Sequence, residues 1–292
     1  MRFTFHIGMH CTDEDRALRC LAHNGATLAR HNTHVARPGR FRPELRRAML
    51  ELKGTPASQD AQERVLRTVM GNETAEHVLF SSDSFLCVPQ RAINEDQLYP
   101  LVSQRAPWIR NLFPDAPVRF CLALRNPATL IPALQARFAE EESFEAFLSR
   151  IWPESLSWPD MLSRLLEAVP DAEVIVWCNE DAPLLWDELL RLLADLPETA
   201  TLDGADGFLA ELIQPEGLTR MQGYLASHPA RSTTHRRRVT AAFLDKFART
   251  EAFEIDYDLP GWTADRLSAL TEAYEAQIAR VSRMDGIRFI EA

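Results

Sequence analysis

Five short apolar runs constrain this chain more than any other feature. They cover residues 2–7, 77–81, 118–124 and 173–178, with the last at 287–290. Each is nearly continuous in apolar, β-branched or aromatic residues. A strand with one wet face alternates apolar with polar; a strand covered on both faces does not. Helical periodicity fills the gaps, over residues 15–29, 43–52, 61–70, 96–113, 128–139, 158–169 and 182–196. In the first of these, Leu18, Leu21, Ala22 and Leu28 fall on one side. The last third continues almost entirely as helix, over residues 215–226, 232–248 and 263–284. Strands alternating with helices predict an α/β three-layer sandwich with a mostly parallel central sheet.

The 292 residues show no internal repeat and no low-complexity linker, so one domain spanning 1–292 is expected. A net charge of −10 argues against nucleic acid or an anionic membrane as partner. The five cysteines (Cys11, Cys20, Cys87, Cys121 and Cys178) are scattered, with no CxxC pair. That pattern indicates neither a disulfide framework nor a zinc ribbon. The first apolar run is short, contains His6 and precedes no cleavage site, so it does not read as a signal peptide. No run reaches the roughly 18 apolar residues that a membrane span needs. The expectation is a cytoplasmic protein.

In a parallel sheet, ligands bind outside the carboxyl ends of the strands. That rule selects residues 8–15, 82–86, 125–129 and 179–183. The first of these, Gly8-Met9-His10-Cys11-Thr12-Asp13-Glu14-Asp15, has the strand–turn–helix layout of a phosphate cradle. Yet it holds no lysine or arginine, and three acids stand where an anion would sit. Thr12 as N-cap, with Asp15 three residues on, also makes a self-capped helix start. Cys11 near a helix N-terminus invites comparison with a low-pKa nucleophile, but the neighbouring acids oppose that. His10, Cys11, Asp13 and Asp15 do not have the spacing of a standard metal site. His6 reads as a strand residue satisfied by the sheet. The chain also lacks Gly-x-x-x-x-Gly-Lys-Ser/Thr, so nucleotide hydrolysis is not supported.

Taken together, several short motifs in order resemble the bacterial sulfotransferases that use PAPS (3′-phosphoadenosine 5′-phosphosulfate). They are His6-x-Gly8 with Leu18, Leu21 and Asn24; Ser81-Ser82-Asp83; Arg125-Asn126-Pro127; Leu259-Pro260-Gly261-Trp262; Tyr274; and Asp285-Gly286-Ile287-Arg288-Phe289. The resemblance implies a P-loop-like fold and a cofactor site at Gly8, His10, Cys11, Thr12 and Arg125. It makes Asp83 the general base that takes a proton from a small-molecule or glycan hydroxyl. It also exposes substitutions. The family lysine is matched by Cys11, its glycine by Asp13, its two threonines by Glu14 and Asp15, and the 3′-phosphate serine by Ala133, preceded by Pro132. Cys11 cannot supply the positive charge that stabilises a sulfuryl-transfer transition state.

Outside the loop, Asp83 alternatively caps a turn, and Arg125 alternatively pairs with an acid such as Asp83 or Asp13. Two basic stretches, Arg37/Arg40/Arg42/Arg46/Arg47 and His235-Arg236-Arg237-Arg238, are either anion-receiving patches or helix surface paired with acids. Trp152, Trp158, Trp177, Trp186 and Trp262 read as core and lid packing. Two functions stay open: a PAPS-dependent sulfotransferase without a metal, or a member that has lost PAPS binding and serves as a binding or partner protein.

Overall fold

In the computed structural model, which describes residues 1–253 and 258–292, six parallel strands form one sheet. They are β1 (Arg2–His6), β2 (Thr33–Val35), β3 (His77–Ser81), β6 (Val118–Leu124), β7 (Glu173–Cys178) and β8 (Ile287–Ile290), while β4 (Ile93–Asn94) and β5 (Gln97–Leu98) make a separate hairpin. The sheet order is β2-β3-β1-β6-β7-β8. Each of the five expected strands is present. Edge strand β2 and the hairpin are additional, and the hairpin occupies part of the expected helix at 96–113.

The helices run α1 (Arg16–Ala22), α2 (Gly25–Arg30), α3 (Pro38–Leu52), α4 (Gln59–Met70), α5 (Val102–Arg110), α6 (Pro127–Ala136), α7 (Phe144–Ser149), α8 (Trp158–Ala168), α9 (Ala182–Leu193), α10 (Gly207–Leu212), α11 (Pro215–Ser227), α12 (Thr233–Phe247), α13 (Thr250–Phe253) and α14 (Ala264–Val281). The expected single helix over 15–29 is broken at Asn24. Its side chain donates to the carbonyls of Cys20 and Asp203 and accepts from the Asp203 amide.

Period-two alternation in the strands sends different residues to the two faces. Phe3 and Phe5 of β1, with Ile7 just past it, join Phe80 and Phe120 under α3, α4, α5, α6, α8 and α14. The opposite face carries Leu79, Cys121, Ala123, Ile175 and Trp177 under α1, α2 and α9. On that face β1 contributes polar residues, Thr4 and His6, both buried. Helices α10, α11 and α12 build a smaller cluster around Leu209, Ile213, Met221 and Val239.

Proline placement fastens α6 to the segment that leads into α14. Pro132 lies inside α6 and has no N–H for the Ala128 carbonyl four residues back. The Trp262 indole Nε1 donates to that carbonyl at 3.1 Å. Trp158, Trp177, Trp186 and Trp262 are buried as expected, but Trp152 is 55% exposed and does not pack the core.

Candidate functional site

Strand β1 sits between β3 and β6: from β1 the chain runs outward to β2 and back to β3 on one side, then crosses β1 to β6, β7 and β8 on the other. Such a switch point leaves a crevice beyond the carboxyl ends. A cavity of about 250 Å³ lies there, lined by residues of the loop after β1 together with His6, Arg42, Ser81, Asp83 and Arg137. Gly8 turns the chain at φ +42°, and an added Cβ would sit in ordinary contact, 3.4 Å from the Asp83 Cα just past β3. Beyond it, Cys11, Glu14 and Asp15 all adopt positive φ, a conformation that disfavours side chains. Among the described residues, the backbone N–H groups of 11–15 have no hydrogen-bond acceptor.

Thr12 is not the N-cap. Helix α1 begins four residues later with Asp15 at the cap position, and Thr12 Oγ1 donates to the Met9 carbonyl at 2.6 Å. An acid does take a helix amide: Asp13 Oδ1 accepts from Ala17 N–H at 2.9 Å. Burial raises the Asp13 carboxyl above its ordinary value, against the pull of His6 and the Ala17 amide.

The other acids are held by arginines. Asp15 accepts from Arg42 at 2.6 Å, and Arg42 also reaches the Ser81 carbonyl at 3.2 Å. Arg137, at the end of α6, bridges Glu14 at 3.0 Å and Asp83 at 3.1 Å. Asp83 also accepts from Ser84 Oγ at 2.9 Å. Neither sequence spacing nor motif singles out Arg137, which meets these partners across 123 and 54 residues of chain.

Arg125 pairs with no acid among the described residues, contrary to one expectation. Its guanidinium donates to the Cys11 carbonyl and to Thr129 Oγ1. The turn that carries it is braced from three sides. Tyr274 Oη donates to the Leu124 carbonyl, Trp158 Nε1 to the Arg125 carbonyl, and Glu180 accepts from the Asn126 amide and from Tyr274.

Of the residues expected to hold a cofactor, Gly8 and Thr12 line the cavity, whereas His10, Cys11 and Arg125 do not. His10 is fully buried, with its amide and ring nitrogen on the Tyr99 hydroxyl. Burial pushes the Cys11 thiol upward, more than Arg137 and Arg125 pull it down, which removes the reactive-thiolate reading. His6 is satisfied only in part: Nδ1 meets Ser81 Oγ at 2.8 Å, but Nε2 has no partner among the described residues. Burial holds its imidazole below the ordinary value, although Asp13, Asp15 and Asp83 oppose this. Apart from Arg42, which lines the cavity against Asp15, the basic stretches follow the surface-pair reading where they are engaged. Arg47 pairs with Glu44 and Glu51, Arg236 with Asp187 and Asp206, and Arg237 with Glu188.

No family model matches the chain, and no curated protein matches it. Among solved structures it is similar to a sulfotransferase from Alicyclobacillus acidocaldarius, at 14% identity and a TM-score of 0.39, over 84% of this chain and 95% of that one.

Proposed function

We propose that this chain is a sulfotransferase-like protein that does not bind PAPS at the loop after β1, and that it works as a binding protein rather than a sulfuryl-transfer enzyme. One observation carries the reading: the cavity is lined by four carboxylates (Asp13, Glu14, Asp15 and Asp83) against two guanidiniums (Arg42 and Arg137), and both guanidiniums are engaged by those carboxylates. A cofactor phosphate would have to displace these pairs. Left in contact with one carboxylate at about 4 Å, it would meet a repulsion of about 4 kcal/mol at a surface-like dielectric. No lysine is at hand to offset this, since the two lysines of the chain are Lys53 and Lys246, outside the cavity lining.

The unengaged amides of residues 11–15 favour the second reading, a PAPS-dependent transferase with Thr12 and Arg125 on the cofactor and Asp83 as base. Even the aligned amides of a helix start amount to only about half a positive charge, and these loop amides precede the helix. A formal excess of two negative charges in the lining outweighs that.

Calorimetric titration with adenosine 3′,5′-bisphosphate, the product form of the cofactor, tests the choice. The expected result is no saturable heat. The variant Cys11→Lys/Asp13→Gly/Glu14→Thr/Asp15→Thr, checked for folding by circular dichroism, is expected to gain binding. Micromolar binding by the unmodified protein overturns the proposal and restores the transferase.

A further inference from the structure

A larger cavity, of about 850 Å³, lies between α9, the loop 198–207 and the hairpin of α11 and α12, and shares no lining residue with the one beyond β1. Its wall includes a nearly buried ion pair. On α9, Arg191 Nη1 donates to Asp187 Oδ2 at 2.6 Å, with the two side chains only 10% and 17% exposed. Arg236 of α12 approaches the same Oδ2 at 3.4 Å. The pair is only half used. Arg191 Nε and Nη2 and Asp187 Oδ1 have no hydrogen-bond partner among the described residues, and none of these atoms is sealed in the interior. Buried polar groups are nearly always satisfied, so unused donors and an unused acceptor on a cavity wall point to a group that enters the cavity.

We infer that this cavity binds a free α-amino acid with an apolar side chain. Its carboxylate meets Arg191, its ammonium meets Asp187, and its side chain lies against Leu202, Leu218 and Leu225 of the lining. Because Arg191 and Asp187 touch, the free donors and the free acceptor stand side by side. A ligand uses both only if its own anionic and cationic groups are equally close, as they are when one carbon carries them. A peptide end supplies one of the two groups and not the other. The lining is nearly balanced, with three guanidiniums to four carboxylates, so a ligand of zero net charge enters without the repulsion a phosphate meets beyond β1. The inference does not rest on the exclusion of PAPS; it adds a second site with its own ligand class.

Leucine, titrated calorimetrically into the full chain, is expected to give saturable heat. Glycine, which lacks the apolar side chain, should bind at least about tenfold more weakly. The analogues 4-methylpentanoate and 3-methylbutylamine keep the leucine skeleton but drop the ammonium and the carboxylate in turn. Each should lose about tenfold or more, the size of one charge-assisted hydrogen bond. Arg191→Gln should cost leucine binding a similar factor. Ala230→Trp fills the cavity from the loop between α11 and α12 without touching the ion pair, and should abolish the heat. Circular dichroism checks that both variants fold; should Arg191→Gln fail, Ala230→Trp decides alone. No heat from leucine overturns the inference. So does leucine binding that Ala230→Trp or a folded Arg191→Gln leaves unchanged. Glycine binding as tightly as leucine overturns it too, and an analogue doing so would mark a site for a simple anion or cation instead.

Discussion

The two faces of the sheet are built from different chemistry, and β1 shows it within five residues. On one side Phe3 and Phe5 enter an aromatic stack, with Phe3 and Phe113 ring centroids 3.7 Å apart and Phe5 and Phe80 5.1 Å apart. On the other side Thr4 and His6 are buried beside small residues such as Cys121 and Ala123, and they spend their polar atoms on β3. Thr4 Oγ1 meets His77 Nε2 at 2.8 Å, and His6 Nδ1 meets Ser81 Oγ at 2.8 Å. The aromatic face holds the layers together by area and dispersion. The polar face specifies pairing and ends beside the cavity at His6, whose buried Nε2 has no partner among the described residues. The largest expected effect therefore belongs to the aromatic face. Phe5→Ala should cost about 3–5 kcal/mol, lost transfer energy plus a residual void, read as a lower urea midpoint. A loss under about 1 kcal/mol would break the comparison by showing that the aromatic face does not carry the fold.

The polar face should announce itself through pH. Burial takes the His77 imidazole from 6.5 down to about 4, opposed by Asp195 and the Ala194 carbonyl and reinforced by Arg119 and Arg2. The unfolded chain then takes a proton near pH 6.5 while the folded chain waits until about 4, so the unfolded state binds more protons in between. Stability should be whole above pH 6.5 and fall as pH drops toward 4, by about 3 kcal/mol in all. Urea midpoints between pH 7.5 and 4 measure this. His77→Gln should flatten the slope, and a flat profile in the unmodified protein would refute it.

What the sequence reveals follows the same division. The apolar runs are legible because both their faces are buried, so hydrophobicity alone marks them. Strand β2 has three residues at a sheet edge and gives no such run. The break at Asn24 depends on Asp203, and the Pro132 vacancy is answered by Trp262; neither tie leaves a local pattern. Within the site, the acids of the loop are plain in the sequence, but their partners are not. Arg137 meets Glu14 and Asp83 only through the fold, and Arg125 finds a backbone carbonyl, which every residue owns and no sequence displays. The same limit hides the helix start. Thr12 looks like a cap from spacing, yet three positive φ values in the loop carry the chain past it.

Where the polar face leaves the sheet, Gly8 sets the direction of the loop. Its φ of +42° is open to glycine and disfavoured for other residues, while a Cβ would only touch the Asp83 backbone at ordinary contact distance. Gly8→Ala should cost about 1–2 kcal/mol and widen the separation of Glu14 from Asp83, the two ends of the Arg137 bridge. If thermal denaturation shows no change, the turn is not what aligns β1 with β3 at this end.

The smallest effect distinguishes the two jobs of Asp13. Its carboxylate accepts from the Ala17 amide, and burial works against its charge. Asn keeps the accepting oxygen and discards the charge, so Asp13→Asn should leave stability at neutral pH unchanged or slightly higher. Ala discards both and strands the amide, so Asp13→Ala should be less stable than Asn by about 1 kcal/mol, the worth of a capping contact. Paired denaturation curves read the difference. Were the two variants equal, the amide contact would carry no stability and Asp13 would be present for its charge alone, which belongs to the cavity. Were Asn the worse, the charge itself would be stabilising, and burial would not be the dominant influence on that carboxyl.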